Sequence, residues 1–214
     1  MSRNQDIPPA QLFLVTPQVS DGVVFADEIA TVLDAGVAAS VLLRLSVADD
    51  ATAKQIVKTL APIVQKRGAA LLVEGWPTIV ARAGADGIHC IDQKSGLREA
   101  LESFKPERIV GVGGVRSKHD AMMLAESGAD YVMIGEPGRD GRIPPLDSVI
   151  ERTGWWAELF EVPCVAFAPD LASIPLLAEA GADFVAVGDA VFAHDKGAVE
   201  GMKLASRLLQ QVRG

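Results

Sequence analysis

The sequence predicts an α/β fold, a closed (β/α)8 TIM barrel, on three observations: a repeated helix-to-strand joint, eight short apolar runs, and a helical pattern after each run. The joint appears as Ala81-Arg82-Ala83-Gly84-Ala85-Asp86-Gly87-Ile88-His89, as Ala125-Glu126-Ser127-Gly128-Ala129-Asp130-Tyr131-Val132-Met133 and as Ala178-Glu179-Ala180-Gly181-Ala182-Asp183-Phe184-Val185-Ala186. A looser fourth copy runs from Leu33 through Gly36 to Val41. In each copy a helix-forming stretch ends at a glycine, which adopts the left-handed conformation at low cost, and an apolar run too short for a helix begins.

The apolar runs are Leu12–Val15, Ser40–Leu43, Ala69–Val73, Gly87–Cys90, Ile109–Val112, Tyr131–Ile134, Pro163–Phe167 and Phe184–Val187. They lack polar alternation, as strands covered on both faces do. Helical periodicity spans residues 22–35, 51–67, 76–83, 94–104, 117–127, 146–159, 171–180 and 197–212. Eight such units in 214 residues fit one barrel domain over 1–214 better than an open doubly wound sheet, and no GxGxxG loop follows the first run.

Composition narrows the partners. The formal net charge is −8 and no basic run exceeds a dipeptide, which disfavours nucleic acid and anionic membrane surfaces. The polar opening Met1–Pro9 and the shortness of the apolar runs predict neither a signal peptide nor a transmembrane helix, and so a cytoplasmic protein. Cys90 and Cys164 lack metal-ligand spacing and are expected as buried thiols.

In barrels of this kind the chemistry sits at the C-terminal ends of the strands. The residues there are Thr16 and Gln18, Arg44 and Ser46, Glu74, His89 and Asp92, Gly113 with Gly114 and Arg116, Glu136 and Arg139, Asp170, then Gly188 and Asp189. Several carry structural readings beside functional ones. Asp170 and Asp189 suit helix N-caps, Arg44 suits an ion pair with Glu74, and His89 suits a barrel-interior histidine bonded to backbone. Trp155 and Trp156 suit packing between helices or a subunit interface. The acids Glu74, Asp92, Glu136, Asp170 and Asp189 together could make an acidic mouth for a metal or a cationic ligand.

Taken together, Leu12-Phe13-Leu14-Val15-Thr16, the Arg44 ending the second run, Ala83-Gly84-Ala85-Asp86-Gly87-Ile88-His89 and the Gly111-Val112-Gly113 turn followed by Gly128-Ala129-Asp130-Tyr131-Val132 resemble, in order and spacing, the thiamine phosphate synthase and thiazole tautomerase (TenI-like) family. The resemblance covers nearly the whole chain. It implies transfer of a pyrimidine methyl group from its pyrophosphate to a thiazole phosphate, with magnesium assisting the pyrophosphate's departure. On that resemblance Arg44, Glu74 and His89 are the catalytic candidates, Thr16, Gly113, Arg139 and Gly188 line the substrates, and Glu74 with Asp92 are displaced metal ligands. Association of subunits, as a homodimer, is a further implication.

The family pattern is broken at several positions. Leu42 and Ser46 flank Arg44 where the family has Gln and Lys, and Glu74-Gly75 replaces an Asn-Asp pair. Lys94 stands for a second metal-binding Asp, Gly113 for a serine, and Asp140-Gly141-Arg142-Ile143 for a Thr-x-Thr-Lys loop. Ala168-Pro169-Asp170 replaces a glycine turn; proline donates no N–H, and the carboxylate repels phosphate. Three functions stay open on these residues: the family synthase, a metal-free tautomerase-like enzyme using His89 or Glu74 for proton transfer, and a divergent barrel that binds another small molecule or acts through protein contacts.

Overall fold

The computed structural model describes residues 9–91, 95–115, 117–138 and 141–212. Eight parallel strands, β1 (Gln11–Val19), β2 (Ser40–Leu45), β3 (Ala70–Glu74), β4 (Gly87–Cys90), β5 (Ile109–Val112), β6 (Tyr131–Ile134), β7 (Cys164–Phe167) and β8 (Phe184–Val187), pair in chain order and close where β8 meets β1. Helices α1 (Gly22–Ala35), α2 (Asp50–Gln65), α3 (Pro77–Ala83), α4 (Ser95–Phe104), α5 (Lys118–Ala125), α6 (Leu146–Leu159) and α7 (Ser173–Glu179) follow the first seven strands in turn. After β8 a short α8 (Asp189–Phe192), absent from the sequence expectation, precedes α9 (Ala198–Gln211). Among the described residues no helix is long and apolar enough to cross a membrane.

Strand alternation divides the apolar side chains into two cores. The larger lies between sheet and helices and holds Leu12, Leu14, Val41, Leu43, Leu71 and Val73 with the inner faces of the helices. The smaller fills the barrel with Phe13, Val15, Leu42, Leu72, Tyr131, Met133, Val165, Phe167 and Ala186, over Ile109 and Phe184 at its base. Arg44, Glu74 and His89 lie two residues beyond inward-facing Leu42, Leu72 and Gly87. The same alternation therefore carries them to the C-terminal mouth.

The Gly-Ala-Asp joints have a structural task that their sequence did not disclose. Asp86, Asp130 and Asp183 each accept, through Oδ2, the backbone N–H of the preceding strand's Leu71, Val110 or Cys164, at 2.7, 2.8 and 2.7 Å. Each aspartate returns its own N–H to the carbonyl of that same residue. The motif thus pins β4, β6 and β8 to their neighbours, while the glycine before it, at 84, 128 or 181, takes φ of 86°, 89° or 96°. The fourth copy departs: Gly36 is extended at φ −170°, and it is glycine because a Cβ there would overlap the Ser206 hydroxyl on α9.

Other expectations resolve simply. Cys90 and Cys164 are buried and form no disulfide, and burial pushes the Cys164 thiol well up. Trp156 is buried, donates its indole N–H to the Val162 carbonyl at 2.7 Å and packs with Trp155 on Phe160. Packing within the chain accounts for the pair.

Candidate active site at the barrel mouth

A cavity of about 350 Å³ opens at the C-terminal ends of the strands. Its apolar walls include Val15, Leu42, Met133 and Phe167, and its polar groups are Gln18, Arg44, Glu74, His89 and Glu136. A larger hollow of about 480 Å³ lies at the other end, beside Gly36 and Ser206, but no ionisable side chain lines it. The mouth, where the fold class puts the chemistry, is therefore the candidate site.

The β1–β2 corner holds Arg44. The register between these strands shifts between Val15 and Gln18, where Pro17 supplies no ladder N–H. Thr16 mends the gap: its buried hydroxyl accepts the Arg44 N–H at 3.1 Å and donates to the Pro17 carbonyl at 2.8 Å, while Arg44 Nε donates to the Thr16 carbonyl at 3.0 Å. The sequence expectation that Arg44 pairs with Glu74 is corrected, because its Nε is spent on β1 backbone and no Arg44–Glu74 ion pair occurs among the described residues. The guanidinium acts on Glu74 at longer range, opposing the burial that raises the Glu74 carboxyl pKa.

His89 is fully enclosed, and burial lowers its pKa to about 4, so the ring is neutral at pH 7. The partner expected from sequence was backbone; it is instead the hydroxyl of Tyr131, the chain's only tyrosine, 2.8 Å from Nδ1. The two rings stack with centroids 5.7 Å apart. Burial, with nearby acidic groups, raises the Tyr131 pKa further, so its hydroxyl stays protonated and is free to donate to Nδ1.

Strand β5 makes room for this group. A Cβ at Gly111 would overlap the Tyr131 ring, and one at Gly113 would overlap the Glu136 carboxylate and lie 2.8 Å from His89 Nε2. Glu136 accepts the backbone N–H of Gly114, and burial raises its pKa to about 7 against the opposing pull of that N–H and of Arg152. Glu136 and Tyr131 were undervalued in the sequence. Their signal was the alternation of Gly111 and Gly113 on the strand paired with β6, which becomes informative only once that pairing is known.

The structure thus gathers Arg44, Glu74 and His89 around one cavity and adds Glu136, with Gly113 behind it. Thr16 lies beneath the mouth with its hydroxyl committed to backbone. Gly188 stands at the N-cap of α8, with ordinary van der Waals room beside it. Asp189 was expected to cap that helix and does not: it is exposed at the first helical position, where no side chain caps. Asp170 was likewise expected as an N-cap, but that position of α7 falls to Ala172; the Asp170 carboxylate instead closes the preceding turn, accepting the Ser173 N–H at 2.9 Å and hydroxyl at 2.6 Å. Asp92 and Arg139 lie outside the described residues. Among the described residues no cluster of three or more His, Cys, Asp or Glu side chains is arranged to hold a metal ion.

Comparison with known proteins shows the family of the chain. Residues 12–191 match the thiamine monophosphate synthase family. Curated thiamine-phosphate synthases of Rhodospirillum centenum and Erythrobacter litoralis are 40% and 33% identical, with 87% and 88% of this chain aligned to 91% of each relative. A thiamine phosphate pyrophosphorylase structure from Pyrococcus furiosus superposes with a TM-score of 0.79 at 21% identity, covering 95% of this chain and 97% of that one. A 3-hexulose-6-phosphate synthase superposes at 0.68 and 16% identity, so the barrel alone does not choose a reaction.

Proposed function

Because the chain belongs to the thiamine monophosphate synthase family, we propose that its mouth cavity performs that family's reaction, joining a pyrimidine methyl pyrophosphate to a thiazole phosphate. The observation that carries this reading is the convergence of Arg44, Glu74, His89 and Glu136 on one apolar-walled cavity at the C-terminal mouth. Arg44 is the cation for the pyrophosphate, held in place by Thr16. The apolar walls orient the ring and keep water from the reacting carbon. On the family pattern, Arg139, Gly113 and Gly188 are the further positions assigned to substrate in this reading.

Magnesium fits this site on the chemistry of its donors. Glu74 is a half-buried carboxylate whose charge burial disfavours, and a hard cation would supply the missing countercharge. Glu74 would hold it with Asp92, and pyrophosphate oxygens and water would fill the remaining positions, since this ion uses few protein ligands. When bound it neutralises the charge that builds up on the leaving group.

The test is formation of thiamine phosphate from the two substrates with magnesium, beside an Arg44→Ala variant. Turnover that falls about a hundredfold in the variant supports the reading. Absence of turnover, together with calorimetric titrations in which neither substrate binds, overturns it.

A second reading, a metal-free tautomerase-like proton transfer, is favoured by one observation: the Glu74 and Glu136 carboxyls are both raised by burial, and Glu136 to about 7, where a carboxyl both gives and takes protons at neutral pH. Solvent deuterium entering thiazole phosphate without the pyrimidine substrate and without magnesium would select it.

A further inference from the structure

A pair of glycines at a strand end normally offers its amides to an anion. At the end of β5 that offer is already taken. Gly114 donates its N–H to Glu136, and the missing side chain of Gly113 is the space in which the Glu136 carboxyl sits. The Gly113 N–H is spent on the Cys90 carbonyl and the Gly114 N–H on the Glu136 carboxyl, and a second acid, Glu74, lines the same cavity. A phosphate brought to this edge meets Coulomb repulsion, whereas a group with N–H donors meets an acceptor.

The countercharge is elsewhere on the rim. Glu136 follows β6 and Glu74 ends β3, while Arg44 lies on β2. Between the β6 edge and Arg44 the walls are Val15, Leu42, Met133 and Phe167, which suit a flat ring. The cavity therefore has the Glu136 carboxyl at its β6 edge, an apolar slot in the middle and, at the β2–β3 edge, the Arg44 guanidinium beside Glu74.

On the reading that this cavity takes the family's pyrimidine substrate, we infer that Glu136 sets specificity for that substrate's ring, pairing with an amino group and the ring nitrogen beside it while Arg44 takes the anionic tail. A carboxyl matches such a ring edge: one oxygen accepts from the amino group while the other shares a proton with the ring nitrogen. The environment favours the shared proton. Burial and Glu74 on β3 hold the Glu136 pKa up, Arg152 on α6 and the Gly114 N–H pull it down, and His89 on β4 is neutral beside it. The phenol of Tyr131 stays protonated behind His89.

The experiment is calorimetric titration with two phosphate-free probes, the aminopyrimidine alcohol and its deamino counterpart, in which hydrogen replaces the amino group. Wild-type protein should bind the amino probe about tenfold or more tightly than the deamino probe, because the Glu136 oxygen that accepts from the amino group is left unpaired. Glu136→Met should lose that preference, and Glu136→Gln, which keeps one acceptor and one donor, should retain most of it. Equal affinity of the wild-type protein for the two probes overturns the inference without any variant, so a variant that fails to fold leaves it decided. A Glu136→Met protein that keeps both its fold and the preference also overturns it. In either case retained tight binding of the pyrimidine pyrophosphate leaves the synthase reading standing, whereas failure of the wild-type protein to bind any pyrimidine removes both.

Discussion

The carboxyl of Glu136 occupies the volume that any side chain at Gly113 would fill. The Glu136 end of this contact can swing away, but the same Cβ would lie 2.8 Å from Nε2 of His89, a buried ring stacked on Tyr131, so Gly113→Ala should cost about 1–3 kcal/mol while displacing the carboxyl from Gly114. Binding of the amino-substituted pyrimidine to the folded variant should weaken severalfold. Unchanged binding by the folded variant would contradict this.

Gly111→Ala should cost stability without touching the Glu136 carboxyl. Its Cβ would overlap a rigid, buried Tyr131 ring that already packs edge-on against Phe13 at 5.5 Å and stacks on His89. Overpacking of a fixed aromatic costs about 1–3 kcal/mol or more. Urea unfolding should show a clearly lowered midpoint.

Removing the Tyr131 hydroxyl leaves the buried Nδ1 of His89 without its hydrogen-bond partner. Tyr131→Phe should cost about 1–3 kcal/mol, the penalty for one unsatisfied buried polar group. Nitrogen NMR of the imidazole should report the change as an altered tautomer balance. An unchanged spectrum and an unchanged urea midpoint would show that the pair contributes neither order nor stability.

Glu136 and His89 give stability opposite pH dependences. The Glu136 carboxyl titrates near 7 when folded against 4.5 in its reference state, so between those values the folded protein holds more protons and stability falls as pH rises. For His89, near 4 when folded against 6.5, the unfolded chain holds more protons, so stability falls as pH drops through that window. The two offset each other between about pH 4.5 and 6.5. Glu136→Gln removes one side of the balance, and its stability relative to wild type should rise with pH by up to about 1.4 kcal/mol per unit until about pH 7. A difference that stays flat over this range would mean that the carboxyl is not held protonated.

The aspartates of the repeated joint should matter for stability and not for ligand binding. Asp130→Ala removes the acceptor of the Val110 N–H and the partner of Lys105. A loss of about 1–3 kcal/mol is expected, with unchanged affinity for either substrate. Reduced affinity at unchanged stability would place the motif in the site instead.

Most of the architecture was legible because it rests on local rules. Short apolar runs, glycine stops and helical periodicity are properties of neighbouring residues, and they located all eight strands and the helices from 22–35 to 197–212 to within a few residues. The exceptions also have local causes. Helix α8 is a single turn with no periodicity to read, and the Gly36 conformation answers to Ser206, about 170 residues away. The mouth was half legible for the same reason. Arg44, Glu74 and His89 could be found by counting along one strand each, since alternation fixes which face a residue takes. Which groups touch could not be found that way. That His89 meets Tyr131 instead of backbone, that Thr16 holds Arg44 away from Glu74, and that Gly113 exists to admit Glu136 all depend on the register between strands distant in sequence. The sequence by itself determined the barrel and the end of it that carries the candidate site. Only the tertiary structure decided the charge and partners of each group there, because burial and cross-strand contact set a pKa and neither is a property of local sequence.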